Sequence, residues 1–173
     1  MGCDMGPSAL RTAGLIPTLI ELGHEVEDLG TVQPKPLRSL SHKNAAIKAL
    51  PEIVAWTEAI MAATYQASAH AMPIVLGGDH SLSAGTLPAA ARRAAELQQP
   101  LFVLWLDAHP DFHTLDSTQS GNLHGVPLAY ASGQPGFAGY YPDLPALIDP
   151  KHVCTLGLRS VDPAERQAIG TAG

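Results

Sequence analysis

The chain has 173 residues, 46% of them apolar, and no apolar run long enough for a transmembrane helix, which points to a soluble globular protein. A chain of this length buries roughly two-thirds of its unfolded surface when folded as one unit, and a formal charge of −6 without basic–aromatic clusters argues against nucleic-acid binding. Met1-Gly2-Cys3-Asp4 lacks a cleavable signal pattern, and Cys3 and Cys154 lack paired spacing, so a cytoplasmic location with two free, structural thiols is the expectation.

In chain order, Ser8 to Leu22 reads as helix broken around Gly14, Glu25 to Leu29 as a strand, and Thr31 to Leu40, with Pro34 and Pro36, as loop. Asn44 to Ala71 reads mostly as helix interrupted at Pro51, with Trp56, Ile60 and Met61 on its core face. Pro73 to Leu76 is a short apolar run that breaks at Gly77-Gly78-Asp79-His80-Ser81, and Leu82 to Glu96 is helix-compatible. A further strand spans Leu101 to Leu106, then a short helix Val126 to Ala131, a surface loop Gly133 to Pro150 and a strand Val153 to Leu156. The alternation, without repeats or an internal boundary, predicts a single α/β unit over residues 1–173.

Chemistry concentrates where Leu101 to Leu106 ends in Asp107-Ala108-His109-Pro110-Asp111. The continuous apolar run suits a strand covered on both faces. Two partly buried carboxylates at its end require a compensating cation. Carboxylate oxygens with one imidazole, and no nearby thiolate, suit a borderline-hard divalent ion such as manganese rather than structural zinc. The alternative is a helix start with Asp107 or Asp111 as a cap. His80 also leaves the end of an apolar run, and the carboxyl ends of parallel strands share one crevice, so His80 can join the Asp107 group. Gly77-Gly78-Asp79 also reads as a plain turn or a phosphate loop, although the lysine of a P-loop is missing. In Ser120-Gly121-Asn122-Leu123-His124-Gly125, His124 is suited to shuttle protons or, more simply, to hydrogen-bond within a loop.

Three blocks, Gly77-Gly78-Asp79-His80-Ser81, Asp107-Ala108-His109-Pro110-Asp111 and Ser120-Gly121-Asn122-Leu123-His124-Gly125, together resemble the ureohydrolase family, and within it the arginases. Asp4 to Arg11 and Gly157 to Pro163 are similar to flanking family blocks, so the resemblance spans nearly the whole chain. It implies a three-layer α/β fold on a mainly parallel sheet and a binuclear manganese centre. His80, Asp107 and Asp111 would bind one ion, and Asp107, bridging, would join His109 on the other. It further implies that a hydroxide between two metals attacks the guanidinium of L-arginine, giving ornithine and urea, with His124 carrying a proton to the leaving amine. Ser120 and Asn122 would hold the substrate carboxylate and Asp162 its ammonium. Asp162-Pro163-Ala164-Glu165 equally reads as a capped helix start. His113 stands where many arginases have an asparagine that contacts the carboxylate, and as a histidine it is also a conceivable extra metal ligand.

The same resemblance predicts that this chain is truncated at both ends. No residues precede the early family loop, and no Asp-x-Asp pair follows Asp162 to complete the manganese ligands. Agmatinase or another guanidino hydrolase is the near alternative, a zinc deacetylase of related architecture a more distant one. A non-catalytic remnant with a partial metal site is the reading of a different class. The resemblance implies trimers or hexamers for a full-length protein.

Overall fold

A computed structural model describes residues 2–172; Met1 and Gly173, the outermost residues of the expected unit, lie outside the described residues. Helices α1 (Gly6–Thr12) and α2 (Leu15–Glu21) are separated at Gly14, whose φ of +93° only glycine adopts freely. Residues 25–29, expected as a strand, carry no ladder, and neither does Pro73 to Leu76. A strand exists only through backbone partners, and among the described residues neither segment has a paired neighbour. Ile74 and Val75 are exposed, so the turn carrying His80 does not leave a buried strand.

Helix α3 (Leu50–Ala67) starts later than expected. Asn44 to Ala49 stays non-helical, and Pro51 falls in the first turn, where its missing N–H costs nothing. The proline therefore opens the helix instead of interrupting it. Leu50, Val54, Ala55, Thr57, Ala59 and Thr64 are its buried residues, whereas Trp56 is exposed and not part of the core. Helix α4 (Ser83–Glu96) packs against α3 through small residues, with Gly85 lying on Ile60 and Met61. Arg92 and Arg93 lie over the Tyr65 ring while Glu96 accepts from the Tyr65 hydroxyl, closing the outer seam of the pair.

Strands β1 (Val103–Leu106) and β2 (Val153–Leu156) pair in parallel, Val103 opposite Val153 and Leu106 opposite Leu156. Between them lies α5 (Pro127–Ala131), every residue of which is buried. Val103 and Trp105 face the helices, but Leu104 and Leu106 are 60% and 67% exposed, so β1 is covered on one face and not on both. The Gly133 to Pro150 loop is not confined to the surface: Phe137, Tyr141 and Ile148 enter the core, and the Tyr130 hydroxyl donates to Pro142 O at 2.7 Å. Helix α6 (Pro163–Ala172) closes the described chain. Cys3 and Cys154 are free, as expected, and both are exposed, outside the buried core. Among the described residues, no helix is long and apolar enough to cross a membrane.

Candidate metal centre

Asp107 N donates to Leu156 O at 3.1 Å, so the ladder holds the first ligand candidate beyond the end of β1. Its Oδ1 accepts from His109 N at 2.8 Å, turning the chain toward Asp111. Asp111 is buried and has φ +48°, a left-handed conformation that costs an L-residue about 1–2 kcal/mol. Two contacts hold it there: Leu128 N donates to Asp111 O at 3.2 Å, and the adjoining Phe112 N donates to Oε1 of buried Glu165 at 3.1 Å.

His80 arrives from the other side. Asp79 accepts from Ser81 N at 2.9 Å and from the Ser81 hydroxyl, forming a tight turn. A Cβ on Gly78 would collide with the Cys3 carbonyl, so glycine is required for the turn to lie against the N-terminal segment. The His80 ring stacks on Trp105 of β1, centroids 3.9 Å apart and planes 18° from parallel. That stack aims Nδ1 at the carboxylates, 2.6 Å from Asp107 Oδ2 and 3.0 Å from Asp111 Oδ2.

Here the buried His80 Nδ1 and Asp111 Oδ2 lack a hydrogen-bond partner, although only 3.0 Å apart, because the angles are wrong. Buried polar atoms are rarely left unpaired, and donor atoms that converge without bonding one another suit a cation. His80, Asp107 and Asp111 each offer a ligand atom within 4.8 Å of the others. Contact with Asp111 raises the His80 imidazole above its ordinary value, against burial, and Asp107 adds to the rise. Burial pushes the Asp107 carboxyl up, but the His109 N–H and the His80 ring outweigh it and hold the group below the usual range. His109 itself is exposed, with Nδ1 3.4 Å from Asp107 Oδ1, on the solvent side of the cluster.

A second group lies behind the same loop. His113 Nε2 is 2.7 Å from Asp162 Oδ2, its Nδ1 is 3.0 Å from Ser117 Oγ, and Glu165 Oε2 is 3.8 Å away. Asp162 Oδ1 accepts from Glu165 N at 3.0 Å, while Glu165 Oε2 accepts from Asp162 N at 3.4 Å. This is a reciprocal capping box at the start of α6. Burial pushes the Asp162 carboxyl up, yet the Glu165 N–H and then His113 hold it low. Glu165 is thus more than a helix-start residue: it ties α6 to the backbone beside Asp111. Its acidic position in the capping box was readable, but its reach to Phe112, 53 residues away, left no local signal.

The turn Leu123–Gly125 packs on the turn His80–Leu82, which brings exposed His124 to the same side of the molecule. Ser120 Oγ accepts from Asn122 N at 3.3 Å, and Asn122 Oδ1 accepts from Lys48 Nζ at 3.0 Å. Lys48 carries no motif and was not a candidate from sequence.

The sequence matches the family model described as the arginase family over residues 1–173. It is 61% identical over 168 residues to an arginase of Brucella melitensis, covering 97% of this chain and 55% of that protein. The solved arginase of Bacillus caldovelox superposes with a TM-score of 0.82 at 36% identity, covering 99% of this chain and 57% of the other. An arginase of Entamoeba histolytica solved in complex with L-ornithine gives 0.74 at 27%, covering 99% and 56%. This chain spans about half the length of the curated relatives it matches. The two parallel strands with their helices are an α/β arginase-like fold, a cluster of His and Asp side chains that could hold a metal ion lies at the strand end, and the chain belongs to the arginase family.

Proposed function

We propose that this chain carries the ligand strand and substrate loop of a manganese-dependent amidinohydrolase that converts L-arginine to ornithine and urea. The observation that carries the reading is the convergence of His80 Nδ1, Asp107 Oδ2 and Asp111 Oδ2 on one point, with the buried His80 and Asp111 atoms left without a hydrogen bond. The Entamoeba relative's complex with L-ornithine supports the choice of substrate. His80, Asp107 and Asp111 would hold one ion, and Asp107 with His109 would contribute to a second. Bound manganese supplies an activated water at neutral pH, which a stable, cationic guanidinium otherwise resists.

The remaining work falls to this chain's own side chains. His124, exposed beside the His80 turn, moves a proton to the amine as the C–N bond breaks. Ser120 and Asn122 offer donors to the substrate carboxylate. Asp162, kept ionised and fixed through both oxygens by Glu165 N and His113, offers negative charge to the ammonium. His113 contributes by holding Asp162, and its own ring nitrogens are both engaged.

Manganese analysis of the purified 173-residue chain, with urea release measured from arginine and agmatine, tests this. Bound manganese with faster turnover of arginine is the expected result, and His80→Ala or Asp111→Asn should remove both. Preference for agmatine moves the substrate assignment. Manganese binding with no urea from either substrate makes this chain a metal-binding module and not a hydrolase.

A further inference from the structure

The segment Asn44 to Lys48 is locked to the Ser120–Asn122 loop by contacts that no motif announces. Asn44 Nδ2 donates to Leu115 O at 3.0 Å and Thr118 O at 2.9 Å, and its Oδ1 accepts from Ala46 N at 3.1 Å. Lys48 N donates to Gly121 O at 3.0 Å. Gly121 has φ +69°, and a Cβ on it would collide with Ala46 O, so the two backbones approach as closely as glycine permits. The lysine that donates to Asn122 is therefore anchored through its own backbone one residue away, unlike a free surface lysine.

An amide side chain has one acceptor oxygen and an NH₂ donor. With Oδ1 occupied by Lys48 Nζ, Asn122 keeps its Nδ2 hydrogens for another acceptor. The ammonium keeps donors as well, and brings a positive charge beside the Asn122 amide. Such a pair suits a carboxylate, which accepts charge-assisted hydrogen bonds strongly. An amine without a carboxylate gains nothing from it and is repelled by the ammonium.

We propose that Lys48 is a specificity-determining residue: it orients the Asn122 amide with its donors outward and adds the cation that selects guanidino amino acids over their decarboxylated analogues. This rests on the reading that the Ser120–Asn122 loop receives the substrate carboxylate.

The test compares ornithine with putrescine, which differ by that carboxylate, in calorimetric titrations of the full chain with manganese present. The variants are Lys48→Met, which keeps the stem, and Lys48→Arg, which keeps the charge. Wild type binds ornithine more tightly, Lys48→Met lowers this preference about tenfold or more, and Lys48→Arg restores most of it. Equal affinity for both ligands in wild type, an equal loss for both in Lys48→Met, or binding of neither overturns the proposal. Urea release separates this from the underlying activity. A wild type that hydrolyses arginine while Lys48→Met keeps its ornithine preference overturns the lysine assignment alone. A Lys48-dependent ornithine preference without urea release supports it and overturns the hydrolase reading.

Discussion

Replacing Glu165 with alanine tests whether α6 holds the metal-ligand loop in place. The substitution leaves Phe112 N–H without its 3.1 Å acceptor in a buried setting, a loss of about 1–3 kcal/mol. One buried methylene adds about 0.8 kcal/mol. Relief of carboxylate burial offsets part of this, so the net loss is about 2 kcal/mol, or roughly 4–8 °C in Tm for a chain of this size. Because the lost bond adjoins Asp111, manganese affinity should fall by about tenfold as well, as for other groups that orient a ligand. Thermal melts with and without manganese, with direct metal titrations, measure both. Glu165→Gln retains an acceptor oxygen and should lose less than half as much. A Tm within about 1 °C of wild type for Glu165→Ala, or glutamine as damaging as alanine, would refute the tie between α6 and the loop.

The other predictions address charge and backbone. Asp162 is held below its ordinary value of 3.8, so its stabilising contribution is present above that pH and lost as pH falls through the folded-state value; Asp162→Asn should flatten this acid limb in pH-dependent melts. His80 is shifted the other way, so in metal-free protein its contribution is full below its ordinary value of 6.5 and lost as pH rises through the raised one. Manganese must displace that proton, and its affinity should climb with pH by up to about tenfold per unit until His80 is deprotonated. Trp105, stacked on His80, should report binding by fluorescence, and the signal should vanish in Trp105→Phe while Trp56 remains. Gly121→Ala should cost about 1–3 kcal/mol by collision with Ala46 O, beyond the left-handed penalty, and calorimetric melting will show it.

What could be read in advance was local. Gly14 marked the break between α1 and α2, and Asp162-Pro163-Ala164-Glu165 marked the start of α6, because both depend on neighbouring residues. Apolar runs were less reliable. Val153 to Leu156 found a partner in β1, whereas Pro73 to Leu76 did not, and pairing is a property of distant chain. Trp56 was misplaced because the apolar positions of α3 extend beyond the face that meets α4. At the site, residue types pointed to His80, Asp107 and Asp111, but nothing local reveals the positive φ of Asp111, the Trp105 stack on His80 or the grip of Lys48 on Asn122.

The bare face of β1 has a thermodynamic consequence for the ligands at its end. Leu106 stands opposite Leu156 in the parallel register and Leu104 lies on the same face, so exposed leucines form one apolar ridge leading to Asp107. A cover that favours the metal-bound arrangement of this strand raises ion affinity by some factor, and the ion then tightens the cover by that same factor. Titrating the ion with and without a ligand of the leucine face would therefore give the coupling factor from either side.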